Sequence, residues 1–538
     1  MKTPLKLIFG TSLCCIPAML PAQTADVAVV RKNIQHVVVL FQENVSFDHY
    51  FGTYPNALNL QGEPAFHALP GTPSVEGLSG TLLTRNPNFL NPQNEAGKSN
   101  PFRLSREQAA TADQDHDYQA EQQAFDQGKM DLFPKSVGHP DGPRVPGEHS
   151  GGLATSGLTM GYYDGNTVTA YWNYAQHYAM SDHQFDVIFG PSTPGAINLV
   201  SGQTNGAVND QNAEGGIVAD GNGGFTLISD PLPFGDFCAS TSDALVHMTG
   251  RNIGDLLTEA KVSWGFFQGG FDLTVVNPNG TTGCRRSSTS PWAKTAKRDY
   301  IPHHEPFQYY KSTANPKHTR PSSASVVGKN DDGGANHQYD THDFFDAVSA
   351  GNFPAVSFLK AAGYQDGHAG YSSPLDEQQW VVSVINFLEQ RPEWNQTVVI
   401  IAYDDSDGWY DHLKGATVNG SSTAKDVLDA AGKCGDGTSA LPGVNPATTH
   451  AQGRCGFGPR LPLLVVSPWA KTNYVDHTVT DQTSILRLIE DVYLDGKRLG
   501  GGSFDASSGS LLGMFNFSKK APQNATRLLL DPDTGLAK

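Results

Sequence analysis

The chain has 538 residues, a formal charge of −17, 38% apolar and 10% aromatic residues, and 57 Gly with 34 Pro. That length suits one large α/β core decorated by loops, and the Gly and Pro content marks many turns. The negative charge disfavours nucleic acid and anionic membrane surfaces as partners, because both need clustered Lys and Arg.

At the start, Lys2 and Lys6 precede an apolar run from Leu7 to Leu20, followed by small or polar residues around Ala22 to Ala25. This is the order of a secretory leader. The run is short for a bilayer span, and a buried first helix or an uncleaved anchor is the alternative. Residues 1–25 are therefore expected to leave as a signal peptide. The remainder is expected to be periplasmic or secreted, with no stable membrane insertion. Cys14 and Cys15 depart with the leader, leaving Cys238, Cys284, Cys434 and Cys455, an even set that suits an oxidising compartment. The sequential pairing, Cys238 with Cys284 and Cys434 with Cys455, closes one Gly-rich loop each; free buried thiols are the alternative.

Three apolar runs, His36 to Phe41, Thr397 to Tyr403 and Leu461 to Ser467, have the length and β-branched character of buried parallel strands. Between them, Glu377 to Glu389 carries Trp380, Val381, Val384 and Leu388 at helical spacing. Alternating strands and helices predict a covered, mainly parallel sheet, whose site lies beyond the carboxyl ends of its strands. The stretches Gly206 to Gly224, Asn277 to Lys294 and Gly415 to Gly453 are rich in Gly, Asn, Ser and Thr and predict surface excursions without a sustained period. Neither internal repeats nor long single-sign charge runs are present, so a second independent domain is not required.

The polar residues after the strands carry the chemistry. The first strand empties into Glu43-Asn44 and the second into Asp404-Asp405. Adjacent carboxylates at the end of a buried strand are costly unless a cation, a proton or a hydrogen-bond network neutralises them. One divalent metal ion of unknown identity, held by Glu43, Asn44, Asp404 and Asp405, meets that need with oxygen ligands. The competing reading has Asp404 capping a turn and Glu43 exposed. Between the strands, Gly190-Pro191-Ser192-Thr193-Pro194-Gly195 precedes the apolar segment Ala196 to Val200, which predicts a helix with Ser192 as its N-cap. Converging backbone N–H groups there suit an anion such as phosphate; a plain capping role for Ser192 is the alternative.

The stretch Asn33-Ile34-Gln35-His36 through Phe41-Gln42-Glu43-Asn44, then Ser46-Phe47-Asp48 and Phe51-Gly52-Thr53-Tyr54-Pro55, closely resembles the opening signature of the bacterial phosphoesterase family that contains acid phosphatases and phospholipases C. The resemblance continues through Phe189-Gly190-Pro191-Ser192-Thr193-Pro194, Tyr403-Asp404-Asp405, Gly408-Trp409-Tyr410-Asp411-His412 and Arg460-Leu461-Pro462 to Ser467-Pro468-Trp469. Within that family it is similar to the acid phosphatase branch, whose fold is like that of alkaline phosphatases and sulfatases. It implies a catalytic unit over residues 26–538. It also implies a metal ion on Glu43, Asn44, Asp404 and Asp405, with Ser192 bound to it as nucleophile through a phosphoserine intermediate.

The resemblance further places His304, His368 and His116 around the substrate, with His303 beside them. An imidazolium there would attract phosphate, which implies a turnover optimum below neutral pH. Phospholipase C relatives commonly have Thr at the nucleophile position and Asp-Glu at the second strand end, where this chain has Ser192 and Asp404-Asp405. Gln482 stands where a His is often seen after a late Asp. These departures imply an exported phosphatase acting on phosphate monoesters, with phospholipase C as the alternative. Trp172, Tyr162 and Tyr163 are candidates for a choline cage or for core packing. A metal-free serine esterase is disfavoured, since no Gly-x-Ser-x-Gly turn surrounds Ser192, and a binding protein without turnover is a remaining alternative.

Overall fold

Runs of β-branched and large apolar residues assemble a nine-stranded central sheet in this computed structural model. The structure describes residues 27–138, 155, 157–435, 451–518, 522, 524 and 526–538. The expected leader with Cys14 and Cys15, and part of the Gly415 to Gly453 excursion, lie outside the described residues.

In chain order the strands are β1 (His36–Gln42), β2 (Ala179–Phe185), β3 (Trp264–Gln268), β4 (Gln338–Tyr339), β5 (Val356–Lys360), β6 (Thr397–Tyr403), β7 (Arg460–Val466), β8 (Tyr474–Asp476) and β9 (Thr480–Asp481). They lie side by side as β4-β3-β5-β1-β6-β7-β2-β8, and β9 also pairs with β2. Buried side chains on both sides explain the near-continuous apolar runs of β1 and β6. These two strands run in step, from His36 opposite Thr397 to Gln42 opposite Tyr403.

One strand overturns its expected direction. The run predicted as parallel from Leu461 to Ser467 is β7, and it lies antiparallel to both β6 and β2. An apolar run reads the same in either direction; the connections and the packing of its neighbours decide which way it enters the sheet. Ser467 therefore sits at the far edge, and Arg460 starts β7 at the edge where β1 and β6 end.

The main helices are α1 (Thr169–His177), α2 (Ser192–Ser201), α3 (Pro374–Glu389) and α4 (Thr483–Tyr493). Helix α3 starts a turn earlier than its apolar spacing suggests, because the Ser373 side chain caps the Asp376 N–H and Pro374 occupies the first turn. Helices α3 and α1 pack together, and α4 packs on α2. The stretch predicted as a surface excursion after Gly206 contributes to a separate five-stranded sheet, including Asn205–Gln211 and Leu245–Met248. Both disulfides have the predicted pairing, Cys238 with Cys284 and Cys434 with Cys455. Among the described residues no helix is long and apolar enough to cross a membrane.

Candidate active site

The in-step pairing of β1 and β6 brings Glu43-Asn44 and Asp404-Asp405 out of the sheet at one level. Backbone bonds then lock the two exits together: Asp404 N donates to Gln42 O at 3.2 Å and Val45 N to Asp405 O at 2.9 Å. Asn44 adopts φ 59°, a left-handed conformation that a short amide side chain tolerates. Its N–H donates to Asp404 Oδ1 at 3.0 Å.

Helix α2 carries Ser192 to this point. Pro191, rather than Ser192, holds the cap position, and no side chain caps the helix. Ser192 is the first helical residue, so its hydroxyl is not committed to capping. Gly195 makes the approach possible, since a Cβ there would lie 2.0 Å from Asp404 O. The expected anion cradle is already used in part: Thr193 N donates to Asp230 Oδ1 at 2.8 Å.

Ser192 Oγ lies 3.2 Å from Glu43 Oε2, 3.4 Å from Asn44 Oδ1 and 3.0 Å from Asp405 Oδ2. One hydroxyl proton faces three acceptor oxygens. Asp404 turns its carboxylate to the Asn44 and Asp405 N–H groups and to Lys360 Nζ, 3.0 Å away. Lys360 also pairs with Glu43. Burial and the neighbouring Asp404 push Glu43 far above the usual carboxylate range, and burial does the same to Asp405. Burial opposes the charge on Lys360, yet Asp404 and Glu43 raise its pKa above the ordinary lysine value. Three buried acids thus face a single ammonium. That surplus of hard oxygen donors fits a divalent cation.

The predicted histidines gather on the same side. His304 Nδ1 lies 3.2 Å from Glu43 Oε1 and 3.9 Å from Asp366 Oδ2. His116 Nδ1 donates to Gln114 O at 2.8 Å, which turns Nε2 toward Asn44 Nδ2 at 3.3 Å. His116 and His368 meet edge to face at 5.9 Å, and His303 packs on His304 at 4.5 Å. Gly408 supports this wall: at φ +66°, a Cβ there would stand 2.4 Å from Asp115 O.

Burial works against the imidazolium that the expected low-pH optimum relies on. Burial, reinforced by His303 and Lys360, holds His304 well below the usual histidine value, and burial with the adjacent His116 does the same for His368. In both rings burial disfavours the imidazolium, and an arriving anion would favour it again.

Several contributors escape sequence reading. Lys360 ends an apolar strand just as Glu43 and Asp404 do, and a cation at a strand end beside strand-end acids is the signal that could have found it. Asp407 accepts from Asn44 Nδ2 at 3.3 Å. Lys297 places Nζ 3.8 Å over the ring of Tyr371, whose hydroxyl donates to Asp366 Oδ2 at 3.1 Å; its short strand, Ala296–Arg298, is not an apolar run and carries no such signal. Gln482, already marked in the sequence as a departure from a His, braces the site, donating to Asp404 O at 2.6 Å and accepting from Val187 N at 3.1 Å. The aromatic cage is not formed by its candidates. Trp172 is fully buried, bonded to Tyr50 O at 2.8 Å and packed edge-on against Tyr54 and Phe66. Tyr163 is buried with its hydroxyl on Ala109 O at 3.0 Å, and Tyr162 is half-buried in a short strand pairing.

A model described as the phosphoesterase family matches residues 34–494. The chain is 24% identical over 480 residues to the non-hemolytic phospholipase C of Pseudomonas aeruginosa, an alignment covering 85% of this chain and 54% of that protein. It is 24% identical over 510 residues to phospholipase C A of Mycobacterium tuberculosis, covering 92% and 79%. It is 25% identical over 507 residues to the non-hemolytic phospholipase C of Burkholderia pseudomallei, covering 90% and 59%. The chain spans about half the length of the Pseudomonas protein.

Proposed function

The chain belongs to the phosphoesterase family, and from that membership we propose that it hydrolyses phosphate esters with Ser192 as nucleophile at a site holding one divalent metal ion. The observation that carries this reading is the meeting of Ser192 Oγ with Glu43, Asn44 and Asp405, at 3.0 to 3.4 Å, beside Asp404. These four residues and Ser192 would hold the ion. When bound, it supplies positive charge that lowers the serine pKa and offsets charge on the phosphate oxygens.

The chain's own groups divide the remaining work. Helix α2 aims Ser192 Oγ at phosphorus. The Ser192 hydroxyl proton passes to a neighbouring carboxylate such as Asp405, whose Oδ2 lies 3.0 Å away, as the Oγ–P bond forms and the P–O bond to the leaving alcohol breaks. His304, His368 and His116 surround the position of the phosphate, whose negative charge restores imidazolium character; one of them gives its proton to the departing oxygen. Water then cleaves the phosphoserine, releasing phosphate or a phosphorylated headgroup. Lys360 keeps Glu43 and Asp404 paired throughout.

The names of the relatives move phospholipid diesters ahead of monoesters as substrates. The monoester reading stands second, supported by Ser192 with Asp404-Asp405 in the pattern of the acid phosphatase branch. An alkaline-phosphatase-like arrangement agrees with the mainly parallel sheet and the site at its carboxyl edge. Export, with residues 1–25 as leader and residues 26–538 as the catalytic unit, agrees with the two disulfides.

The test compares phosphocholine release from phosphatidylcholine with phosphate release from p-nitrophenyl phosphate at matched enzyme concentration. Faster lipid cleavage supports the diester reading, and faster monoester cleavage the other. Retained turnover in Ser192→Ala on both substrates would overturn the nucleophile assignment. Elemental analysis of the purified chain identifies the ion among calcium, iron, manganese and zinc.

A further inference from the structure

Strand β2 carries a second group of ligand-type side chains. Asp182, His183 and His477 bring ligand atoms within 4.8 Å of one another, and none of them belongs to the Ser192 site. In a regular strand, neighbours such as Asp182 and His183 point to opposite faces. Here the pairing with β7 shifts: Leu461 lies opposite Gln184 and Leu463 opposite Ser181. Two steps along β7 match three along β2, so β2 holds an extra residue at Asp182-His183. Such a bulge re-aims side chains, and His183 Nδ1 comes to 2.8 Å from Asp182 Oδ1.

The other neighbour of β2 is interrupted at the same height. β8 pairs with Ala179 to Ser181 and β9 with Gln184 and Phe185. Between them the chain leaves the sheet, and His477 opens that departure with Nδ1 2.8 Å from the same Asp182 Oδ1. Two imidazole nitrogens from distant segments thus converge on one carboxylate oxygen.

A fourth residue sits where a metal site needs support. Glu76 N donates to Asp182 Oδ2 at 2.9 Å, which fixes the carboxylate. The Glu76 side chain places Oε2 3.4 Å from His183 Nε2, the nitrogen turned away from the cluster. A carboxylate on the outer nitrogen is the arrangement that orients metal-ligating histidines and raises their basicity. Arg460 holds the backbone of both acids, donating to the carbonyl oxygens of Asp182 at 3.0 Å and Glu76 at 2.6 Å. The Asp182 carboxylate is buried, whereas the His477 side chain is 62% exposed, so an ion can enter from solvent.

We propose that Asp182, His183 and His477 form a second metal site, selective for imidazole-preferring ions such as zinc, copper(II) or nickel(II), with Glu76 as the positioning residue for His183. Two nitrogens and one carboxylate oxygen match the ligand preference of those ions, in contrast to the all-oxygen set at Ser192. The bound ion clips the Glu76 loop and the chain between β8 and β9 onto β2.

The test uses the full chain, stripped with a chelator and then titrated with zinc alone or copper(II) alone. Wild type is expected to retain one zinc equivalent more than His477→Gln after identical loading and desalting, and Asp405→Asn is expected to keep that equivalent. Copper(II) loaded at this site gives nitrogen hyperfine structure in its paramagnetic resonance spectrum that weakens in both His477→Gln and His183→Gln. Glu76→Gln is expected to bind zinc about 10–100-fold more weakly. Equal zinc stoichiometry and an equal zinc-induced shift in Tm for wild type and His477→Gln would overturn the site. Because His477 is exposed, that variant tests ligation without disturbing the core.

Discussion

Two buried cations sit at the same edge of the central sheet, one in its parallel half and one at the start of its single reversed strand, and they occupy different electrostatic settings. Lys360, at the end of β5, lies between Glu43 and Asp404. Arg460, at the start of β7, lies between Asp48 and Asp411, at 3.0 and 3.1 Å. Around Arg460 the acids are otherwise satisfied: His412 N donates to Asp48 Oδ2 and Leu413 N to Asp411 Oδ1, each at 2.8 Å, and His412 Nδ1 adds a further contact to Asp48 at 2.6 Å. Around Lys360 the acids outnumber the ammonium, and Glu43 and Asp405 also aim oxygens at Ser192. The Arg460 cluster is electrostatically closed and holds the fold. The Lys360 cluster leaves acids uncompensated, as the proposed cation and phosphate site requires.

The largest expected effect separates the two clusters by function. Ser192→Ala should lower kcat by at least about 10⁴-fold and abolish the phosphoenzyme. Urea unfolding should be nearly unchanged, because the hydroxyl supports no helix cap. Loss of cooperative unfolding in this variant would instead assign Ser192 to the framework.

The next pair of variants sharpens the contrast. Lys360→Met and Arg460→Met each remove one partner from a buried charge cluster, an omission that typically costs about 3–5 kcal/mol. In chelator, urea midpoints should fall in both. Saturating divalent metal should restore most of the loss in Lys360→Met, since a bound ion neutralises the same acids, and none in Arg460→Met. Equal rescue of the two would erase the distinction drawn here.

The smallest effect concerns Glu377, on α3 behind β6, which accepts from Tyr50 and Tyr403 hydroxyls at 2.8 Å. Burial raises its pKa to about 8, against opposing hydrogen bonds from Tyr403 and Tyr50. A carboxyl that holds its proton more tightly when folded adds stability below the unfolded pKa, and that contribution is lost as pH rises through the folded value. Wild type should therefore lose stability from this group between about pH 4.5 and pH 8. Glu377→Gln should flatten that part of the profile at a cost of about 1 kcal/mol for the altered hydrogen bonds. Urea midpoints across the pH range read both quantities.

Much of this architecture is legible in residues. The runs of β1 and β6 announce buried strands because only apolar, β-branched side chains suit a sheet covered on both faces. The acids that follow them announce a site because carboxylates at such ends need compensation. The predicted disulfide pairing holds for the same local reason: each bridge closes a single excursion. Ser192 is legible as a special position, but spacing alone cannot tell the cap from the first helical residue, and the cap falls on Pro191.

Composition and local pattern by themselves determined that this chain builds an α/β sheet and that costly polar groups, Glu43, Asn44, Asp404 and Asp405, follow its buried strands, because side-chain polarity and period act over a few residues; Ser192 stood out as a nucleophile only through the family resemblance. Only the tertiary structure decided that β7 runs backwards, that Lys360 rather than a more obvious basic residue neutralises Glu43 and Asp404, that burial lowers the pKa of His304 and His368, and that a bulge turns Asp182 and His183 to one point. Strand direction, burial and register arise from contacts between segments hundreds of residues apart, and no local pattern encodes them.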